Sequence, residues 1–182
     1  SSSGWPSSTA SPARAAAVAP FAVGEVAAMS VRKEPAEIGE LGFSDVDGKA
    51  RNISEWRGRT VLLNLWATWC APCREEMPAL DALEREMGGE DFSVVAVSVD
   101  LGDDAKPKAF YAETGISSMP FFHDGRMGVF NALKKRGLAI GMPTTLLVDG
   151  EGCILGVMSG PAHWASPDSK AMIGAATGAP KG

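Results

Sequence analysis

The stretch "WATWCAPCREEMP" (residues 66–78) closes the apolar run "TVLLNLWA" (60–67) with two cysteines separated by two residues. The run is rich in β-branched and large apolar residues and reads as a buried strand. Pro72 suits the first turn of a helix, where its missing N–H would be unpaired in any case. Residues 72–87 carry helical periodicity, so the pair sits at a strand-to-helix junction. Cys70 falls at the helix N-terminus and Cys73 one turn further along the same face. The i, i+3 spacing brings the two sulfurs within reach of a disulfide. Free backbone N–H groups and the positive end of the helix dipole stabilise a thiolate at Cys70. Cys70 is therefore read as the exposed attacking thiol and Cys73 as the sheltered one that resolves a mixed disulfide.

The helix also accounts for a glutamate three residues beyond Cys73. Leu80, Leu83 and Met87 form an apolar stripe, and extending it backward gives Glu76 and then Cys73. Glu76 thus faces the core while Glu75 points elsewhere. A carboxyl held there has a raised pKa and can exchange a proton with Cys73 as the disulfide opens and closes. The plainer reading, a charge complementing the helix dipole, suits Glu75 better.

Around this unit the chain alternates. "LGFSDVDGKARNIS" has two short extended pieces around Asp47-Gly48, a hairpin signal. Strands are expected at 92–100, 144–149 and 153–159, and helices at 104–114, 127–136 and 167–177. This order predicts an α/β fold with a mixed central sheet covered on both faces by helices. Residues 1–35 read as an N-terminal extension, with a mobile Ser/Ala/Pro-rich start over 1–16 and a short helix over 18–29. Residues 36–178 read as one domain.

The 182 residues are 45% hydrophobic and 21% charged, enough to bury a full core. A net charge of −5 argues against nucleic acid or an anionic membrane surface as partner. No run approaches the roughly 18 apolar residues of a membrane span, and residues 1–30 lack the pattern of a signal peptide. The opening instead reads as a chain that begins just beyond a removed anchor or signal. Cys153 is left over from the pair, and the only histidines are His123 and His163. A zinc site would need two more ligands, and none of these three residues forms a ligand-like pair.

"VLLNLWATWCAPCREEMP", "GMPTTLLVD" and "GCILGVMSG" together resemble the thioredoxin superfamily, and within it the TlpA/ResA-type reductases, with the TlpA branch most similar. The "APFAVGEVAAM" and "GPAHWAS" segments belong to that likeness. The resemblance implies a thioredoxin-like three-layer fold and a protein-disulfide reductase whose redox-active pair is Cys70 and Cys73. Glu76 stands where the TlpA/ResA branch carries a glutamate. Asn64 stands where ordinary thioredoxins often have a buried aspartate, and it cannot take up a proton. Pro78 falls where the family has a helix-kinking proline, and Trp66 and Trp69 match aromatic residues flanking the site. Met142-Pro143 matches the family's cis-proline dipeptide. Trp69, Ala71, Pro72, Met142 and Pro143 are thereby expected to contact substrate, with the Met142 backbone turned outward to pair with a substrate strand.

The resemblance further implies a periplasmic location, an inner-membrane anchor and a membrane electron donor of the DsbD/CcdA type. Its substrates would be disulfides of a copper chaperone, an oxidase copper-site subunit or an apocytochrome c. The chain is expected to act as a monomer, without cofactor or metal. TlpA proteins can tie the position of Cys153 to a cysteine in the N-terminal extension, and this chain has no such cysteine. The competing class is a copper- or zinc-binding module of the same fold using the same CxxC. His163 lies where copper chaperones of the Sco type carry their metal histidine, although those proteins space their cysteines as CxxxC.

Overall fold

The structure is a computed structural model and describes residues 10–178. Its centre is a mixed eight-stranded sheet with strand order β1-β8-β7-β4-β5-β6-β2-β3. The two middle strands, β4 (Thr60–Trp66) and β5 (Phe92–Ser98), are parallel, and every residue of both is buried. Continuous apolar runs of this kind are what a strand covered on both faces requires. Helix α2 (Ala71–Met87) makes the crossover between them. On the other side of β4 lie β7 (Thr144–Val148) and β8 (Cys153–Ser159), an antiparallel pair joined by a turn. The hairpin expected around Asp47-Gly48 is β2 (Gly42–Asp45) and β3 (Ala50–Asn52), with Gly48 at φ +81° in the turn. Helices α3 (Ala105–Thr114), α4 (Gly128–Lys135) and α5 (Pro167–Thr177) fall where periodicity placed them.

Three features depart from expectation. Strand β1 (Ser30–Glu37) is an edge strand paired antiparallel with β8, its register broken between Val31 and Ala36. Its sequence, SVRKEPAE, has charge and a proline where a central strand would be apolar. Both are tolerated at an edge, where one row of backbone groups faces solvent. The two-residue strand β6 (Phe122–His123) joins β5 to β2 and is too short to leave a periodic signature.

The N-terminal helix is also displaced. Helix α1 covers Ser11–Val18 rather than 18–29, and the later residues form two 3₁₀ turns, Ala19–Phe21 and Gly24–Val26. Gly24, at φ +56°, interrupts any helix there, and the Asp168 carboxylate fills the space a Cβ would take. Ala15 and Val18 are buried, so residues 11–16 are packed rather than mobile. The remainder of the expected mobile start, residues 1–9, lies outside the described residues. Arg14 ties α1 to the β7–β8 turn through Asp149 (3.1 Å) and Glu151 (2.9 Å), and Ser11 donates to the same Asp149 carboxylate.

Candidate active site

The site begins where β4 ends. Val99 N–H donates to Trp66 O at 2.8 Å, holding the chain that leaves β4 against the end of β5. The buried carboxylate of Asp100 then accepts the Thr68 backbone N–H and hydroxyl together with the Ser98 hydroxyl. Thr68 is thereby fixed two residues before the first cysteine. Trp66 is fully buried and packs against Phe110 and Tyr111 of α3, whereas Trp69 projects from the surface with 63% exposure.

Cys70 is the N-cap residue of α2 and forms a disulfide with Cys73, their Cα atoms 5.3 Å apart. The Cys73 backbone N–H points at Cys70 Sγ at 3.3 Å. This is the helix-start N–H that stabilises negative charge on the first sulfur once the disulfide opens. Exposure is asymmetric but smaller than the sequence suggested: Cys70 retains 6% of its surface and Cys73 none. Ala71 and Pro72 open the helix and are exposed. The Met142–Pro143 bond is cis, with Met142 half-buried and Pro143 buried. Thr144 pairs with Leu65, so this dipeptide enters the sheet beside the end of β4 from which the cysteines emerge.

Glu76 is 3% exposed, on the core face of α2, and Glu75 is exposed. Its two oxygens have different partners. Oε1 accepts from Asn64 Nδ2 at 2.8 Å, and Oε2 accepts from Trp164 Nε1 at 2.8 Å and the Ala162 backbone N–H at 3.2 Å. Burial outweighs these three donors and pushes the Glu76 carboxyl up to about 7. A cleft of about 240 Å³, lined by Pro72, Glu75, Glu76, Ala162 and His163 among others, opens onto this side of the helix. The carboxyl is thus buried in protein yet next to a route for water.

Sequence reasoning placed Glu76 but not the segment that holds it. The only hint was Trp164 inside "GPAHWAS": a late tryptophan after the last strand, whose indole is fully buried here. Asn64, which cannot take up a proton, instead donates a hydrogen bond to the carboxylate. His163 is exposed and lies 3.8 Å from Glu25, a long contact. Among the described residues no three His, Cys, Asp or Glu side chains are arranged to hold a metal ion.

Residues 25–173 match the Redoxin family. This chain belongs to that family. The resemblance to the TlpA/ResA type within the thioredoxin superfamily agrees with the individual relatives. The chain is 30% identical over 118 residues to the thioredoxin-like protein YneN of Bacillus subtilis, covering 63% of this chain and 65% of that protein. It is 32% identical over 118 residues to the thiol-disulfide oxidoreductase ResA of Geobacillus kaustophilus, covering 65% and 64%. The match therefore spans slightly less than two thirds of these relatives' own lengths. A putative thiol:disulfide interchange protein DsbE from Chlorobium tepidum superposes with a TM-score of 0.68 at 25% identity, over 82% of this chain and all of that one. The Redoxin match spans all eight strands, the CxxC helix and the position of Glu76.

Two predictions arise from the site of this Redoxin-family chain. Trp164→Phe removes a donor from the charged form of Glu76, so the carboxyl should titrate higher still. A hydrogen bond to a charged group is worth about 1.5–3 kcal/mol, equivalent to a rise of about one pH unit or more. The pH profile of disulfide exchange by the variant should move alkaline by that amount; an unmoved profile would dissociate Trp164 from the proton.

Cys153 is the first residue of β8, 4% exposed, and its N–H donates to Asp149 Oδ1 at 3.0 Å. It lies opposite Glu37 on β1, on the far side of β7 from β4 and the cysteine pair. Cys153→Ala should leave turnover within about two-fold of wild type and cost on the order of 1 kcal/mol of stability, the loss of one small buried group. Turnover and a denaturation curve test both, and a large fall in turnover with the fold intact would assign Cys153 a chemical role.

Proposed function

We propose that this protein is a thiol–disulfide oxidoreductase that reduces disulfides in partner proteins. The observation that carries this reading is the Cys70–Cys73 disulfide at the start of α2, with the buried carboxyl of Glu76 on the same helix face. In the proposed cycle the reduced enzyme presents Cys70 as a thiolate, stabilised by the Cys73 N–H and the helix dipole. It attacks one sulfur of the partner's disulfide. A Cys70–partner bond forms, and the other partner sulfur leaves as a thiolate. Cys73 gives its proton to Glu76 and attacks Cys70 Sγ, so the partner's second sulfur leaves in turn. The partner ends reduced by two electrons and the enzyme oxidised.

Trp69, Ala71 and Pro72 on the exposed rim, with the half-buried Met142 backed by the buried Pro143 beside the end of β4, form the place where the substrate segment lies. The Ala-Pro dipeptide between the cysteines has no histidine, so the pair should be reducing. Its potential is placed nearer thioredoxin's about −270 mV than the about −120 mV of DsbA. The family likeness supports a periplasmic protein anchored to the inner membrane through its N-terminal region. Residues 1–35 are read as an extension whose end enters the sheet as β1, and 36–178 as the redox domain. It also supports re-reduction by a membrane donor of the DsbD/CcdA type. The substrate class it favours is a disulfide in cytochrome oxidase or cytochrome c biogenesis: a copper chaperone, an oxidase copper-site subunit or an apocytochrome c.

Equilibration of the CxxC pair against dithiothreitol and glutathione buffers tests the reading. A two-electron transition at a potential near that of thioredoxin supports it. A potential near that of DsbA would make the protein an oxidant and overturn the direction of the reaction.

A further inference from the structure

We propose that Asn64 is a positioning residue whose side-chain amide follows the protonation state of Glu76, donating to the carboxylate and turning over to accept from the carboxylic acid. This deepens the reading of Glu76 as proton carrier for Cys73 and rests on it. Asn64 lies on β4 and is fully buried. Its Nδ2 uses both hydrogens, one on Glu76 Oε1 at 2.8 Å and one on Thr145 Oγ1 at 2.9 Å. Its Oδ1 is buried and has no hydrogen-bond partner among the described residues. That orientation serves the ionised carboxylate and wastes the amide's acceptor.

The two oxygens of Glu76 are not equivalent sites for a proton. Oε2 faces an indole N–H and a backbone N–H, groups that can only donate. A proton placed there would confront two others. The proton therefore resides on Oε1, where the one neighbour able to change character is Asn64. An amide offers a donor at one end and an acceptor at the other, with nearly the same shape either way round. Turned over, Asn64 Oδ1 accepts from Oε1–H. Thr145 accommodates the change because its hydroxyl both accepts and donates, so it can give its proton to the same Oδ1. Glu76 can thus gain or lose a proton without moving its backbone. An aspartate at position 64 would compete for the proton instead.

Among the described residues, three ionisable groups lie near Glu76. Cys73 and Glu75 share its helix, and His163 lines the cleft beside Ala162. The facing residues of β4 and β7, Asn64 and Thr145, are neutral. In the oxidised protein Cys73 is held in the disulfide and does not titrate.

The test is NMR of the oxidised wild-type protein, titrated across the range in which Glu76, near 7, changes charge. The Glu76 carboxyl carbon reports the charge, and the side-chain amide resonances of Asn64 report its orientation. The expected result is that the contacts between the Asn64 amide protons and Thr145 are lost as the carboxyl protonates. They should be absent at every pH in Glu76→Gln, whose carbonyl takes the place of Oε2 and whose NH2 faces Asn64 as the carboxylic acid does, and His163→Gln should leave the wild-type behaviour unchanged. Amide contacts that stay constant while the Glu76 carbon titrates would overturn the proposal. A carboxyl that does not titrate in this range would overturn it together with the proton-carrier role. Because no substrate is turned over, neither outcome depends on whether the protein is an oxidoreductase.

Discussion

Cys70→Ser should bring disulfide reduction down to the uncatalysed background. A serine hydroxyl has no thiolate to offer, and Cys73, at 0% exposure, cannot be reached by a protein disulfide. The complementary variant behaves differently. Cys73→Ser retains the attacking thiol and loses the group that releases the partner, so it should accumulate a stable mixed disulfide through Cys70. Non-reducing mass spectrometry of each variant after mixing with a disulfide-bearing protein gives the answer. Turnover by Cys70→Ser comparable to wild type would remove the assigned nucleophile.

Glu76→Gln should slow exchange by up to about 10²-fold while making the folded protein more stable at alkaline pH. General acid–base groups contribute about 10²–10⁴-fold, and a carboxyl beside a cleft open to solvent belongs at the low end because water can replace part of its work. Glutamine keeps the shape, and its carbonyl oxygen can still accept from Trp164 and Ala162, but it cannot take a proton from Cys73. The rise in the wild-type resolving rate as Glu76 ionises near 7 should therefore be missing from the variant.

The stability effect follows from the same carboxyl. Its ordinary value of 4.5 is raised to about 7 on folding, so between those values the folded chain holds a proton that the unfolded chain has lost. The site does not oppose folding below 4.5. Its contribution turns unfavourable as pH rises, reaching on the order of 3 kcal/mol above 7. Glutamine avoids this cost. Denaturant unfolding at about pH 5 should show wild type and variant nearly equal, and at about pH 8.5 the variant should be the more stable. A variant less stable at both pH values would mean that Glu76 is buried as a structural anion.

The central layers of the fold were legible because their signals are local. Apolar runs gave β4, β5, β7 and β8, and helical periodicity gave α2 through α5 nearly to the residue. The strands that escaped, β1 and β6, are defined by what they pair with. SVRKEPAE becomes a strand only because β8 offers an edge. Gly156 opposite Val31 carries no side chain and leaves room for Met29, whose sulfur lies 2.7 Å from where a Cβ would be. The helix expected over 18–29 failed for a similar reason. Gly24 meets Asp168, a residue far away in sequence, and the chain bends there.

The candidate site divides along the same line. Cys70, Cys73 and Glu76 share one helix, so their relation is set by spacing alone. The groups that hold Glu76 arrive from β4 and from the segment before α5. Asn64 and Trp164 are 100 positions apart in the numbering. Nothing in either stretch announces a shared carboxylate. Trp66 and Trp69 illustrate the limit: two tryptophans in one motif, one sealed in the core and the other almost two-thirds exposed, as 63%. Alternation along β4 does not distinguish them once the strand has ended.

The proposed cycle requires two sulfurs of different acidity, which alkylation of the reduced protein measures directly. Iodoacetamide rates are followed against pH for the two single-cysteine variants, Cys70→Ser and Cys73→Ser, each with Cys153→Ala. Cys70 should react with a pKa below the ordinary thiol value of about 8.5, and Cys73 with one above it, because only Cys70 receives the helix-start N–H. Coincident profiles, or a Cys73 that ionises first, would contradict the assignment of attacking and resolving thiols.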